Sequence, residues 1–326
     1  MENLKVGFIG AGGFATFTLY PALHFAPLEL QAICDIDQQK SERNAKKFGG
    51  GANVYTNHRE MYEKEDLEAV IICMGPQHRQ ALVLEALAAG YHVFVPKPPA
   101  SSLAGTLELA EAASLHNRKM MVNFQRRFSF GVQTAKGIMA KSSFGQVSQV
   151  FSSFCSGNYP TLESYLLDFA IHHFDLVRHL AGEVAQACSF YNEIGGQGSF
   201  AVGLQFESGA IGTMQLNSQR LWSRNYDQIQ VTGQGEYIVL DDLWTLRHYT
   251  QAGNSFHENH SDQRNGELTG DGHSLTEFVT AIREDRDPVS SIHDVVGTMR
   301  LYDAVLQFRS GETITLDHAA SLTGRN

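Results

Sequence analysis

The stretch Val6-Gly7-Phe8-Ile9-Gly10-Ala11-Gly12-Gly13-Phe14-Ala15 allows few backbone paths. An apolar run stops at a cluster of glycines and resumes in a helical pattern, which reads as strand, tight turn and helix. Gly10, Gly12 and Ala15 have the G-x-G-x-x-A spacing of a dinucleotide site. The three small residues serve a tight turn, a close backbone approach to pyrophosphate, and close packing of helix on strand. A helix that starts there offers unpaired N–H groups and a partial positive charge to phosphate. Asp35 ends the next strand, 25 residues after Gly10. Its carboxylate can accept both ribose hydroxyls of NAD and repels a 2′-phosphate, so NAD is favoured. NADP stays open because Lys40 and Arg43 lie close by, and a simple cap of the following helix is the other reading of Asp35.

The N-terminal third continues with short apolar runs at residues 4–10, 30–35, 69–74, 92–96 and 119–124, separated by helical patterns. This alternation predicts a parallel sheet wrapped by crossover helices: an α/β Rossmann dinucleotide-binding domain over residues 1–122. From residue 123 the rhythm changes. Longer β-type segments at 146–156, 199–218 and 227–249, with Glu207-Ser208-Gly209 and Gly233-Gln234-Gly235-Glu236 as hairpin turns, predict an α+β domain on a mostly antiparallel sheet, residues 123–326. Residues 250–273 are polar and rich in Gly and Asn. They read as a surface loop, with a lid or a subunit-contact arm as the alternative. Two helical segments, SLTEFVTAIRED and IHDVVGTMRLYDAVLQF, follow.

Twenty-five Lys and Arg face 35 Asp and Glu, a net charge of -10. That balance argues against a nucleic-acid or anionic-membrane surface and leaves a small molecule as the expected partner. No apolar run reaches the ~18 residues of a membrane span, and the first ten residues carry no cleavable signal pattern, so a cytoplasmic location is expected. Cys34, Cys73, Cys155 and Cys188 occur singly in apolar segments and read as reduced core thiols.

Chemistry concentrates in YLLDFAIHHFDLVRHLAG, Tyr165 to Gly182. At about 100° per residue, Asp168, His172, Asp175 and His179 fall within roughly 60° of one another, while apolar residues cover most of the remaining circumference. A narrow titratable line on a largely buried helix costs desolvation energy, which points to a site. Asp168 is one turn before His172, where a carboxylate can fix the imidazole tautomer of a general base. His173 points elsewhere and reads as structural. Lys97, in Pro96-Lys97-Pro98, follows a parallel strand at the sheet edge where such folds bind ligands. Its ammonium can hydrogen-bond a reacting oxygen. No third ligand stands at metal-site spacing from His172, so no metal is expected.

Together these pieces resemble the family of glucose-fructose oxidoreductase, inositol dehydrogenase and MocA. The resemblance rests on VGFIGAGGFA, ALVLEALAAGYHVFVPKPPA, MMVNFQRRFSFGVQTAKGIMAKSSFGQV and LLDFAIHHFDLVRHLAG. It implies a Rossmann domain, a second domain with a large open sheet, a homodimer or homotetramer, and catalysis by Lys97, Asp168 and His172. Expected cofactor contacts are Gly10, Gly12, Gly13, Phe14, Ala15, Asp35, Met74, Gly75, Pro76, His78, Pro96 and Lys97. Expected substrate contacts are Lys97, Arg127, Asn158, Tyr159, Tyr165, Asp168 and His172. Three positions depart from the family pattern. Pro96 replaces the usual glutamate before the lysine; Leu162, Glu163 and Ser164 stand where a glycine run is common; and either His78 or Arg79 takes the place of a histidine. The expected activity is NAD(P)-dependent oxidation of a secondary hydroxyl on a sugar, sugar acid, cyclitol or related polyol. A non-catalytic NAD sensor and a redox-neutral glycoside-cleaving enzyme with tightly held NAD are the alternatives.

Overall fold

Apolar runs too short for helices build the first of two units, residues 1–125 with 265–296. The structure, a computed structural model, describes residues 3–222, 226–258, 269–307 and 310–316. Strands β1 (Leu4–Ile9), β2 (Leu28–Cys34), β3 (Asn53–Tyr55), β4 (Ala69–Ile72), β5 (His92–Pro96) and β6 (Met120–Asn123) form one sheet in the order β3-β2-β1-β4-β5-β6. Every pair in it is parallel. Leu4, Val6, Phe8, Val70, Ile71, Val93, Phe94 and Val122 expose nothing, as strands covered on both faces require. The apolar pattern does not predict β3, a three-residue strand with partly exposed side chains that is too short to show a period of two.

The connecting helices start where their caps dictate. The Asp37 side chain accepts from Lys40 N ahead of Gln38–Phe48, Ser102 accepts from Gly105 N ahead of Leu103–Leu115, and Pro76 opens Pro76–Ala88. A distant segment completes this unit. Helix Asp271–Arg283 packs Phe278 against Phe94, the rings tilted at 59° with centroids 5.4 Å apart, and pairs Arg283 with Glu68 at 2.6 Å. Strand order reverses between β1 and β4, and the crevice at their carboxyl ends is where an open α/β sheet takes its ligand.

The second unit, residues 126–264 with 297–326, holds a nine-stranded sheet. Its strands are β7 (Gln149–Cys155), β8 (Val184–Ile194), β9 (Gln197–Phe206), β10 (Ile211–Asn217), β11 (Tyr226–Thr232), β12 (Tyr237–Asp241), β13 (Thr245–Thr250), β14 (Gly253–Glu258) and β15 (Ser310–Thr315). The order is β14-β13-β12-β11-β7-β10-β9-β8-β15, antiparallel except for β7 beside β10. Both expected hairpin turns form, with Gly209 at φ 86° and Gly235 at φ 90°. The expected loop at 250–273 is corrected in its first part: residues 253–258 are the edge strand β14. Almost wholly exposed on both faces, that strand shows no alternation a sequence could reveal. Residues 259–268 lie outside the described ones.

The chemistry-bearing helix of this unit starts with a reciprocal cap. Thr161 Oγ1 accepts from Ser164 N and Ser164 Oγ accepts from Thr161 N, each at 3.1 Å. The helix ends at Gly182, φ 94°. From Ile171 to Arg178 every residue is buried. Asp175, in the middle, accepts from Arg127 Nε at 2.7 Å and Nη2 at 2.6 Å, and from Thr298 Oγ1 at 3.1 Å. A buried fork of this kind is costly to break on one side, because the surviving charge keeps its desolvation penalty. Asp175→Ala is expected to lose about 3–5 kcal/mol of unfolding free energy. The Arg127→Leu/Asp175→Leu double variant should lose less, as chemical denaturation of both will show.

Candidate functional site

The glycine turn is shaped by a collision. Gly10 has φ 104°, and a Cβ built on it would stand 2.2 Å from the carbonyl oxygen of Cys73, at the end of β4. No other residue fits there. At Gly12 and Gly13 the opposite holds, since a Cβ would meet nothing within 4 Å. The turn therefore presents bare backbone to open space, the requirement for a phosphate cradle. Ala15 is 1% exposed and seats the helix on the sheet. Asp35 accepts from Ala11 N at 2.7 Å and from Asp37 N at 2.9 Å, tying the end of β2 to the turn. The helix cap that Asp35 could have been is Asp37. A carboxylate has about four acceptor sites, so two remain for ribose hydroxyls.

Three apolar side chains near this turn stay exposed: Phe14 at 51%, Phe17 at 81% and Ile36 at 94%. Ile36 is absent from the sequence expectations. Its signal is an isoleucine between two aspartates, Asp35 and Asp37, where no core can use it. After β4, Met74, Gly75 and Pro76 are partly exposed and lead into helix Pro76–Ala88. His78 is exposed, whereas Arg79 is fully buried, so the arginine takes the inward place. Pro96 is buried at the end of β5, and Lys97 is partly exposed. The four cysteines are free thiols; burial pushes Cys73 up to about 12 and Cys34 up to about 11, so neither is a poised nucleophile.

In the second unit the expected line of four titratable groups is broken. Residues Tyr165–Ala170 form a π-helical turn, which advances less per residue than an α-helix and keeps Asp168 and His172 on one face, so the four groups differ in surroundings and not in direction alone. Asp168 is exposed and accepts from the Tyr159 hydroxyl at 3.0 Å. His172 is 7% exposed and stands edge-on to Phe154 at 6.5 Å. Asp175 is consumed by Arg127. Arg127, 2% exposed, is thereby given a bracing role in place of the expected substrate contact. Tyr165 exposes nothing and donates to the Phe154 carbonyl at 2.9 Å, which makes it a core residue. Asn158 is exposed and Tyr159 partly so.

His173 is structural, as its position on the helix suggests. Its Nε2 meets Asp227 Oδ1 at 2.9 Å, its Nδ1 meets Ser152 Oγ at 2.6 Å, and its ring stacks on Phe154 at 4.1 Å. Because a carboxylate only accepts, Nε2 carries the proton and Nδ1 accepts from the serine. Ser152 and His173 expose nothing, so this serine–histidine–aspartate line cannot meet a substrate. Burial pulls Asp227 upward, but the Arg126 charge and the hydrogen bond from His173 outweigh it and hold the carboxyl well below its usual range. Among the described residues no group of three or more His, Cys, Asp and Glu is arranged to hold a metal, and no helix is long and apolar enough to cross a membrane.

Residues 4–124 match the model of an oxidoreductase family with an NAD-binding Rossmann fold, and residues 164–316 match the C-terminal alpha/beta domain of that family. The chain belongs to the Gfo/Idh/MocA oxidoreductase family. It is 30% identical over 192 residues to the inositol 2-dehydrogenase/D-chiro-inositol 3-dehydrogenase of Shouchella clausii, a match covering 56% of this chain and 55% of the relative. The chain spans about half the length of the curated relatives it matches. A dehydrogenase from Chromobacterium violaceum shares the fold with a TM-score of 0.89 at 22% identity, over 94% of this chain and 95% of that one. Levoglucosan dehydrogenase in complex with NADH does so with 0.85 at 18% identity, over 97% and 100%. At these identities the two structures establish the family architecture and no more.

Three histidines make stability depend on pH. Burial, first among the causes, pushes His92 down to about 4 and His179 down to about 3, and it lowers His173 as well. An unfolded histidine takes its proton near 6.5. Below about pH 6.5 the unfolded chain therefore binds more protons than the folded one, and stability falls as pH drops. Each histidine contributes at most about 1.4 kcal/mol per pH unit in that window. Urea midpoints at pH 8, 6 and 5 should be flat above about pH 7 and fall below it, and His179→Leu should make the fall shallower.

Proposed function

We propose that the chain is an NAD-dependent dehydrogenase that oxidises a secondary hydroxyl of a sugar, sugar acid, cyclitol or related polyol. The observation that carries this reading is one shared sheet edge. The open glycine turn leaves β1 and Lys97 leaves β5, with β4 between them. Two strand spacings are roughly 10 Å, a span that a bound dinucleotide bridges. The pyrophosphate suits the bare backbone at Gly12 and Gly13, the ribose hydroxyls suit Asp35, and the flat face of adenine suits Ile36. The inositol dehydrogenase relative supports a polyol substrate, and the NADH-bound levoglucosan dehydrogenase supports the cofactor.

When bound, NAD supplies the hydride acceptor. Lys97 donates a hydrogen bond to the substrate oxygen and holds it in place. His172 takes the hydroxyl proton as the carbon gives up its hydride, so that the C–O bond becomes C=O and the imidazole leaves the step protonated. Asp168 orients that imidazole. Burial, reinforced by the nearby Asp168 charge, raises the Tyr159 phenol, which stays protonated and donates to Asp168.

Purified protein with NAD or NADP and a panel of polyols, inositols and aldoses should raise the 340 nm absorbance with NAD and a polyol. Tight NAD binding with a silent panel, or product without net NADH, would overturn the dehydrogenase reading. In His172→Ala, kcat should fall by about 10²–10⁴-fold while NADH affinity is kept. Full activity in that variant would remove His172 from the reaction.

A further inference from the structure

Among the described residues Arg79 is a buried cation without a counter-charge. It is 1% exposed and lies in the first turn of helix Pro76–Ala88. Nη1 donates to the Met74 carbonyl at 2.9 Å, and Nη2 donates to the carbonyls of Pro98 and, at 3.4 Å, Pro99. All three acceptors are backbone, and among the described residues no carboxylate pairs with it. Burial pushes its pKa down to about 10, which still leaves it protonated at neutral pH. The neighbouring Cys73 thiol, pushed up to about 12, is neutral there and offers no compensation. An unpaired buried charge keeps an uncompensated desolvation penalty, and an apolar side chain would pack here without it. A purely structural account therefore leaves the charge unexplained.

What the guanidinium joins supplies the reason. Met74 follows β4, and Pro98 and Pro99 follow Lys97 at the end of β5. β4 and β5 are neighbours, but past the sheet edge no ladder hydrogen bond fixes the distance between their loops. A rigid planar fork with five donors can hold several carbonyls at set positions, which an ammonium on a flexible stem cannot. We propose that Arg79 is a positioning residue that sets the distance between the loop Met74-Gly75-Pro76 and the turn carrying Lys97. Through that distance it sets the separation of the hydride acceptor from the substrate oxygen. The inference rests on the function proposed above and assigns that site a residue that touches neither substrate nor cofactor.

The test compares full-length wild type with Arg79→Lys, Arg79→Gln and Arg79→Ala. For each, kcat and KM are measured on the polyol that wild type oxidises, NADH affinity by fluorescence, and Lys97 labelling by an amine reagent with and without NADH. A displacement of about 1 Å costs about 100-fold in rate. The expected result is a kcat lower by about 10–100-fold in Arg79→Gln, with KM and NADH affinity within about threefold. Added guanidinium ion should restore part of kcat in Arg79→Ala. Arg79→Lys keeps the charge without the fork and should resemble Arg79→Gln. Unchanged kcat with a lower melting temperature would overturn the proposal and leave a structural brace; so would a loss confined to NADH affinity. If wild type oxidises nothing on the panel, the dehydrogenase reading fails on its own, and labelling still decides. NADH should shield Lys97 in wild type and not in Arg79→Gln, and equal shielding in both overturns the positioning role. Should Arg79→Ala fail to fold, the lysine and glutamine variants carry the comparison.

Discussion

The end of β1 runs against the end of β4 with no room for a side chain. Gly10 must be glycine twice over, for its φ of 104° and for the 2.2 Å that would separate a Cβ from the Cys73 carbonyl. That contact bends the chain sharply enough for Ala11 N to reach Asp35 at 2.7 Å. It also leaves Gly12 and Gly13 with open space above them. The open turn, its tie to Asp35 and the start of the β4 loop are thus consequences of one steric constraint at the switch point of the sheet.

The second unit solves a different problem. A helix buried on every side from Ile171 to Arg178 has no solvated face for its polar residues, so each must find a partner inside. Asp175 takes Arg127, His173 bridges Ser152 and Asp227, and Arg178 donates to Thr298 Oγ1 at 2.7 Å. These pairs hold the helix at a fixed rotation, and His172 shares that rotation while remaining 7% exposed. In the general-base role proposed for it, a side chain carried on a helix of fixed rotation loses little orientational entropy when it reacts.

Much of this was legible in the sequence because the signals are local. Gly10 to Ala15 and the apolar runs around them specify strand, turn and helix without reference to anything distant, and Glu207-Ser208-Gly209 specifies its hairpin in the same way. What escaped depends on partners far along the chain or on geometry that breaks a period. Arg127 was an available cation until Asp175, 48 residues away, closed on it. The π turn at Tyr165–Ala170 leaves no mark that a 3.6-residue period would reveal. Helix Asp271–Arg283 shows an ordinary amphipathic pattern, and nothing in it says that Phe278 belongs on Phe94. Arg79 reads from sequence only as one of two candidates, with His78, for the place of the family's histidine, and nothing local says which of them is buried.

Pro96, the departure from the family signature, fits the same electrostatic picture. It removes a backbone donor at the last position of β5 and brings no carboxylate there. Its register partner, Asn123, donates instead to Asp271 at 2.7 Å, a carboxyl whose pKa burial raises. Cys73 senses both influences, lowered by Arg79 and raised by Asp271, so the two groups act on the same edge of the sheet. One of them is a cation that stays charged; the other is an acid whose anionic form burial disfavours. Lys97 leaves the same edge, so two cations stand beside that one carboxyl at the carboxyl ends of β4 to β6. In the proposed reaction an oxygen losing its proton is stabilised by those cations, and a glutamate at position 96 would have opposed them.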